Sequence, residues 1–189
     1  MGNGKALKEW ASAVKALEAG SQIFIMRKGG IVEETRDFQV ESNDFFLYPT
    51  YEHQRKELLK EPYRGIIDET LVNWSAQDTH VTIHSYARMV EDIEVSDQEK
   101  LHQLFPFHIW TENFTEERLK WKRKNPLHIM ILRVYMLNEP IQIEIEQAYM
   151  GCKSWIQLGA SVPDDSEMTP VLNEAEFTAQ VAEIKRTLA

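Results

Sequence analysis

Leu127-His128-Ile129-Met130-Ile131-Leu132-Arg133-Val134-Tyr135-Met136-Leu137 is an almost unbroken apolar run, and its reading decides the fold. Apolarity on both alternating sets of positions predicts a central strand covered on both faces, since a strand sends successive side chains to opposite sides. Pro140 then restarts the chain as Ile141, Ile143 and Ile145 alternating with Gln142, Glu144 and Glu146, the pattern of a half-exposed strand. Upstream, Val81, Ile83, Ser85, Ala87 and Met89 alternate with His80, Thr82, His84, Tyr86 and Arg88, which predicts another strand from Thr79 to Met89. Arg133 is the odd member of the central run. A guanidinium there needs a partner, either Glu144 or Glu146 of the following strand or an anion bound in a cleft.

Around this centre, Ser21 to Lys28, Phe38 to Val40, Phe45 to Tyr48 and Lys153 to Leu158 predict further strands. Gly29-Gly30 marks a tight turn into Ile31-Val32. Leu7, Trp10, Val14 and Leu17 recur at helical spacing and predict a helix over Lys5 to Ala19, closed by Gly20. Thr50 is expected to cap a helix from Tyr51 to Lys60, Ser96 with Glu99 one ending at Leu104, and Thr115 a short basic one. Residues 162–170 form an acidic, Pro-containing linker to a final helix (171–189), with Asn173 and Glu176 as capping box and Phe177, Val181, Ile184 and Leu188 on one face. The whole is one α+β domain over 1–189, with a mixed or largely antiparallel sheet and helices at both termini packed on it; a PUA-like β-rich variant fits the same pattern.

Composition narrows the function classes. No stretch approaches the roughly 18 apolar residues of a membrane span, and Lys5, Lys8 and Glu9 interrupt what would be a signal peptide's apolar region. One cysteine, Cys152, excludes an intramolecular disulfide and fits a reducing cytoplasm. It reads as core packing or as a thiol activated by a histidine such as His128. A net charge of −9 opposes a dedicated duplex-DNA binder. Only Arg118, Lys120, Lys122, Arg123 and Lys124, around Trp121, offer a cationic patch for weak, salt-sensitive nucleic-acid contact.

The candidate ligand site is the first quarter of the chain. Arg27 and Lys28 end a strand beside Gly29 and Gly30, where a ligand can approach the backbone closely. Thr50, His53 and Gln54 would occupy a helix start, where free N–H groups favour anions. With Arg133 they form the candidate anion-binding set. No metal-ligand set and no cofactor motif emerges. His80 and His84 lie about 13 Å apart if on a strand, and Pro163-Asp164 with Glu183-Ile184-Lys185 imitates a nuclease motif only by placing its Glu and Lys on a helix.

Arg27-Lys28-Gly29-Gly30-Ile31, Phe46-Leu47-Tyr48-Pro49-Thr50 with His53-Gln54, His108-Ile109-Trp110-Thr111 and Gly151-Cys152-Lys153-Ser154-Trp155 together resemble the DUF1802 family up to about Leu158. The resemblance implies a cytoplasmic bacterial protein associated with restriction–modification, since members are reported alongside or fused to Mrr-type endonuclease domains; it implies no catalytic residues. Three functions remain open. The first is a non-catalytic binding or accessory module for an anionic small ligand or nucleotide. The second is a hydrolase or nuclease-type enzyme on a phosphate-containing substrate, with His53 as acid or base. The third is a protein–protein interaction module anchored by Trp110, Trp121 and Trp155.

Overall fold

Seven strands and five helices make up the structure, a computed structural model that describes residues 4–28, 38–121 and 125–189. In chain order these are β1 (Lys5–Trp10), α1 (Ala11–Glu18), β2 (Phe24–Arg27), β3 (Asp44–Thr50), α2 (Gly65–Leu71), β4 (His80–Val95), α3 (Gln98–Gln103), α4 (Glu112–Lys120), β5 (Leu127–Glu144), β6 (Trp155–Gln157), β7 (Met168–Pro170) and α5 (Glu174–Leu188). The fold is α+β with a mostly antiparallel sheet: the order is β2-β5-β4-β3-β1-β6, β7 also pairs with β5, and among the described residues only β1 with β3 runs parallel.

The apolar run is the central strand. β5 carries Ile129 and Ile131 into one apolar layer and Met130, Leu132 and Val134 into another, so it is covered on both faces. It also runs on through Pro140, where two separate strands were expected. The register with β4 slips between Ile83 and Ser85, and Pro140 falls in that irregularity, where a missing N–H breaks no ladder. A third cluster, with Phe46, Tyr48, Ile83 and Tyr86, covers the rest of the sheet. Tyr86 is thereby buried, although alternation placed it on the polar face with the exposed His80 and His84.

Several local expectations are corrected. Lys5 to Trp10 is a strand, because it lies between β3 and β6 and must bury Ala6 on one face and Leu7 on the other. Helix begins only at Ala11, and Gly20, at φ 72°, closes α1 with its N–H on the Leu17 carbonyl. Phe38 to Val40 forms no strand; Phe38 is buried against Trp155, ring centroids 6.3 Å apart. The caps of α3 and α4 are Asp97, one residue after the expected Ser96, and Thr111, four residues before the expected Thr115. The acidic segment 162–170 ends as β7, stitched to Tyr135–Leu137 of β5. The Asn173–Glu176 capping box and the burial of Phe177, Ile184 and Leu188 on α5 are as the spacing requires.

The sheet also curls. β1 and β2 stand four places apart in strand order, roughly 19 Å in a flat sheet, yet the Arg27 guanidinium donates to the Lys8 carbonyl oxygen. Side chains from β1 to β5 consequently meet in one cluster, with Val14 and Leu17 of α1 among them.

A polar corner between the first strand and the first helix

The curl brings the end of β2 against the junction of β1 and α1, where Arg27, Thr50 and Gln54 of the candidate ligand residues make contacts. Glu9, 5% exposed, accepts from the Trp10 N–H at 2.8 Å through Oε1, while Oε2 lies 3.8 Å from Arg27 Nη1. Thr50 stays in β3 and donates its hydroxyl to the Glu9 carbonyl at 3.1 Å. Gln54 accepts from the Ser12 N–H at 2.8 Å, capping the first turn of α1. Its amide nitrogen reaches the Tyr51 carbonyl and the Thr70 hydroxyl.

Thr50 and Gln54 thus serve the start of α1. The helix expected at Tyr51 to Lys60 is absent: His53 is left-handed at φ 68°, which no helix tolerates, and the chain continues through a short 3-10 turn at Lys56–Leu58. His53 is exposed and has no hydrogen-bond or ion-pair partner among the described residues.

Arg27 and Lys28 are not solvated cations. Arg27 closes the curl and stands over the Phe38 ring at 5.8 Å. Lys28, 2% exposed, donates to the Leu119 carbonyl at the end of α4, where the helix dipole favours a cation. Burial pushes its pKa below the ordinary lysine value. Gly29 and Gly30 lie outside the described residues, as do Lys122, Arg123 and Lys124. Arg133 belongs to another place. Its Nη2 meets Glu174 at 3.4 Å, its Nη1 the Asn173 carbonyl, and its plane the Phe177 ring at 4.6 Å, so the start of α5 supplies the partners expected from Glu144 or Glu146.

Two residues of the corner, Glu9 and Ser12, were not among the expected site residues. Glu9 and Ser12 were hidden by assigning Lys5 to Ala19 to one helix; the Gln54 contact needs the fold. Arg118, expected on a solvated basic face, turns inward over Phe114 at 4.7 Å and towards the Met26 carbonyl. Burial lowers its pKa, the Glu9 carboxylate opposes that, and Arg27 adds to it. Lys120 pairs with Glu116 at 3.1 Å, so the described part of the basic patch is largely spent within the molecule. Ser12 Oγ and Arg27 Nε have no hydrogen-bond partner although both are buried.

Other candidates resolve as structure. Cys152 is exposed, contrary to a core role, and His128 is bound to Asp92 at 2.9 Å. Trp110 is 2% exposed and stacks on Phe114 inside the core, so it cannot anchor a partner; Trp155 donates to the Gln39 carbonyl. Asp164 caps a 3-10 turn and Lys185 of α5 bridges to Glu91, which leaves the imitation nuclease motif unassembled. No described helix is long and apolar enough to cross a membrane, and no group of three His, Cys, Asp or Glu suited to a metal ion occurs among the described residues.

The model of a family described as a domain of unknown function, DUF1802, matches residues 6–183. The match continues past Leu158 into α5. No curated protein matches the chain. Among solved structures, the chain is similar to two mutants of the ZmASCH protein from Zymomonas mobilis. One, with a serine-to-alanine change, is 10% identical with a TM-score of 0.45, covering 96% of this chain and 95% of that one. The other, with a tyrosine-to-phenylalanine change, is 10% identical with a TM-score of 0.46, covering 95% and 96%.

Proposed function

The chain belongs to the DUF1802 family, a domain of unknown function, and from that premise we propose that it is a non-catalytic binding module whose β1–α1 corner takes an anionic small ligand or the phosphate of a nucleotide. The observation that carries this reading is two buried donors without partners, Ser12 Oγ on the first turn of α1 and Arg27 Nε at the end of β2. Buried polar groups are rarely left unpaired, because each costs on the order of 1–3 kcal/mol. Trp10, Arg27, Thr50 and Arg118 each keep part of their surface exposed, which leaves the corner a side for ligand approach. The setting that accompanies this reading is the bacterial cytoplasm and an accessory role in a restriction–modification or defence system, as the family resemblance implies.

The test is calorimetric titration of the purified protein with inorganic phosphate and with a nucleoside monophosphate at fixed ionic strength, comparing wild type with Ser12→Ala. The Ser12 hydroxyl bonds nothing within the protein, so the variant is expected to melt at the wild-type temperature or above. Its anion affinity is expected to fall roughly tenfold, the worth of one hydrogen bond to a charged acceptor. Absence of saturable binding by the wild type, or equal affinity of the two proteins, overturns the reading.

A further inference from the structure

At the opposite end of α1 from the corner, a buried charge borders an unfilled space. Arg133 projects from β5, is 9% exposed, and lines a cavity of about 10 Å³ between the end of α1, β5 and the segment leading into α5. The other walls are chiefly apolar, with Leu17, Leu132, Val134, Leu172 and Phe177 among them, and Arg133 is the one charged residue among the described residues that line it. Gln22, also on the cavity, is already committed: its amide nitrogen donates to the Phe24 carbonyl at 2.6 Å and its oxygen accepts from the Ile109 N–H at 3.0 Å. The guanidinium itself is incompletely balanced. Its charge partner, Glu174, stands 3.4 Å away with its side chain 85% exposed, and the Asn173 carbonyl is also at 3.4 Å, both at the long end of hydrogen bonding. A carboxylate that exposed is screened by water and offsets little of the cost of burying a cation.

We propose that this cavity is a halide site, taking one chloride or bromide ion against the Arg133 guanidinium. Size and chemistry agree on the occupant. A cavity of about 10 Å³ holds a single water-sized particle. Sulfate or a phosphate group, a central atom wrapped in oxygens, does not fit. A water there needs about two to four polar partners and must place its hydrogens on acceptors, while the described lining side chains offer no uncommitted acceptor. A halide has no hydrogens to place and supplies the counter-charge that the buried cation needs. A guanidinium, itself weakly hydrated, is the cation suited to such a buried pair. Val171 and Leu172 are half-buried, so the cavity lies just beneath the surface. Since Val171, Leu172 and Phe177 close it from the side of α5, the bound ion fastens the start of α5 to the sheet.

The test follows thermal unfolding of the full chain in sodium chloride or sodium bromide exchanged against sodium gluconate at constant ionic strength. Gluconate is too large for the cavity and serves as the reference anion. The melting temperature is expected to rise saturably with chloride and with bromide, because a ligand of the folded state alone stabilises it by mass action. Arg133→Met should abolish that dependence. Glu174→Gln, at an exposed position, provides the readout should Arg133→Met fail to fold: it removes the competing carboxylate, so the half-saturating chloride concentration should fall at least about threefold. In crystals soaked in bromide, the anomalous signal is expected beside the Arg133 guanidinium. A melting temperature without a saturable halide response, a half-saturation unmoved by Glu174→Gln, a response retained by Arg133→Met, or a water in place of bromide at Arg133 overturns the proposal. None of these outcomes bears on the β1–α1 corner.

Discussion

Arg27, at the end of β2, donates a hydrogen bond to the backbone carbonyl of Lys8, on a strand four places away in the sheet, and lies 3.8 Å from the Glu9 carboxylate next to it. Where β1 and β2 approach, this side chain supplies the hydrogen bond, beside the apolar cluster that holds Leu7 and Ile25. The same guanidinium therefore holds the curl and lends the corner its charge. That double duty explains why the cation is buried instead of extending into solvent, and why its Nε is the atom left over.

Removing Arg27 should accordingly be costly for folding. Arg27→Met removes the ion pair to Glu9 and the bond to the Lys8 carbonyl, leaving the buried Glu9 carboxylate with the Trp10 N–H and the field of Arg118, and is expected to cost about 3 kcal/mol in chemical denaturation. The double variant Arg27→Met with Glu9→Gln should recover part of that loss, since the buried carboxylate is then neutral. A single variant as stable as wild type would show that the curl is held without Arg27.

The central strand was legible because burial on both faces leaves a plain mark, apolar residues at consecutive positions of β5. So was α5, whose capping box and spacing are local signals. β1 was not. Leu7, Trp10, Val14 and Leu17 keep a helical spacing across a strand–helix junction, and only pairing of Ala6 with Phe46 and Ile156 makes the first half extended. Thr50 and Gln54 were expected at the start of a helix over Tyr51 to Lys60, which does not form; Gln54 instead caps α1, 42 positions upstream. No local pattern encodes such a capping bond; Glu9 and Ser12 were invisible for the same reason, and Arg118 was assigned to the basic patch although its guanidinium turns inward.

The turn at His53 offers a second check. A left-handed non-glycine residue costs about 1–2 kcal/mol relative to glycine, and the His53 ring has no hydrogen-bond or ion-pair partner among the described residues. His53→Gly should therefore leave the protein as stable as wild type or raise its melting temperature. Gln54→Ala should instead cost about 1 kcal/mol, the value of a lost cap. Destabilisation by His53→Gly comparable to that of Gln54→Ala would mean that the imidazole makes a contact the turn depends on.

At the start of α5, exposed and buried halves of one ion pair should separate. Glu174 is 85% exposed at its side chain while Arg133 is 10% exposed. Glu174→Ala is expected to change stability by no more than about 0.5 kcal/mol, as for other solvent-screened pairs. Arg133→Ala loses its packing on Phe177 and leaves the Asn173 carbonyl short of a donor, and should cost about 2–3 kcal/mol. Equal effects of the two substitutions in urea melts would show that the ion pair, and not the packing, holds Arg133.

Acid sensitivity should centre on His108, which is 2% exposed, accepts from the Trp110 N–H at 3.2 Å, and has its pKa pushed down to about 3, first by burial and then by the nearby Lys60 ammonium. In the unfolded chain the same imidazole takes up its proton near the ordinary value of 6.5. A folded pKa below the unfolded one means the stability is fully present above pH 6.5 and is lost as pH falls towards 3, because only the unfolded state gains the proton on the way. The slope from this group approaches about 1.4 kcal/mol per pH unit across that window. His128 acts in the opposite direction: Asp92 raises its pKa, so its contribution is present at low pH and fades as pH rises above 6.5 through the raised value. Stability measured by urea denaturation between pH 7 and pH 4 should consequently fall less steeply in His108→Asn, whose amide oxygen can still accept from Trp110, than in wild type. An unchanged slope in that variant would show that His108 is not the group being titrated.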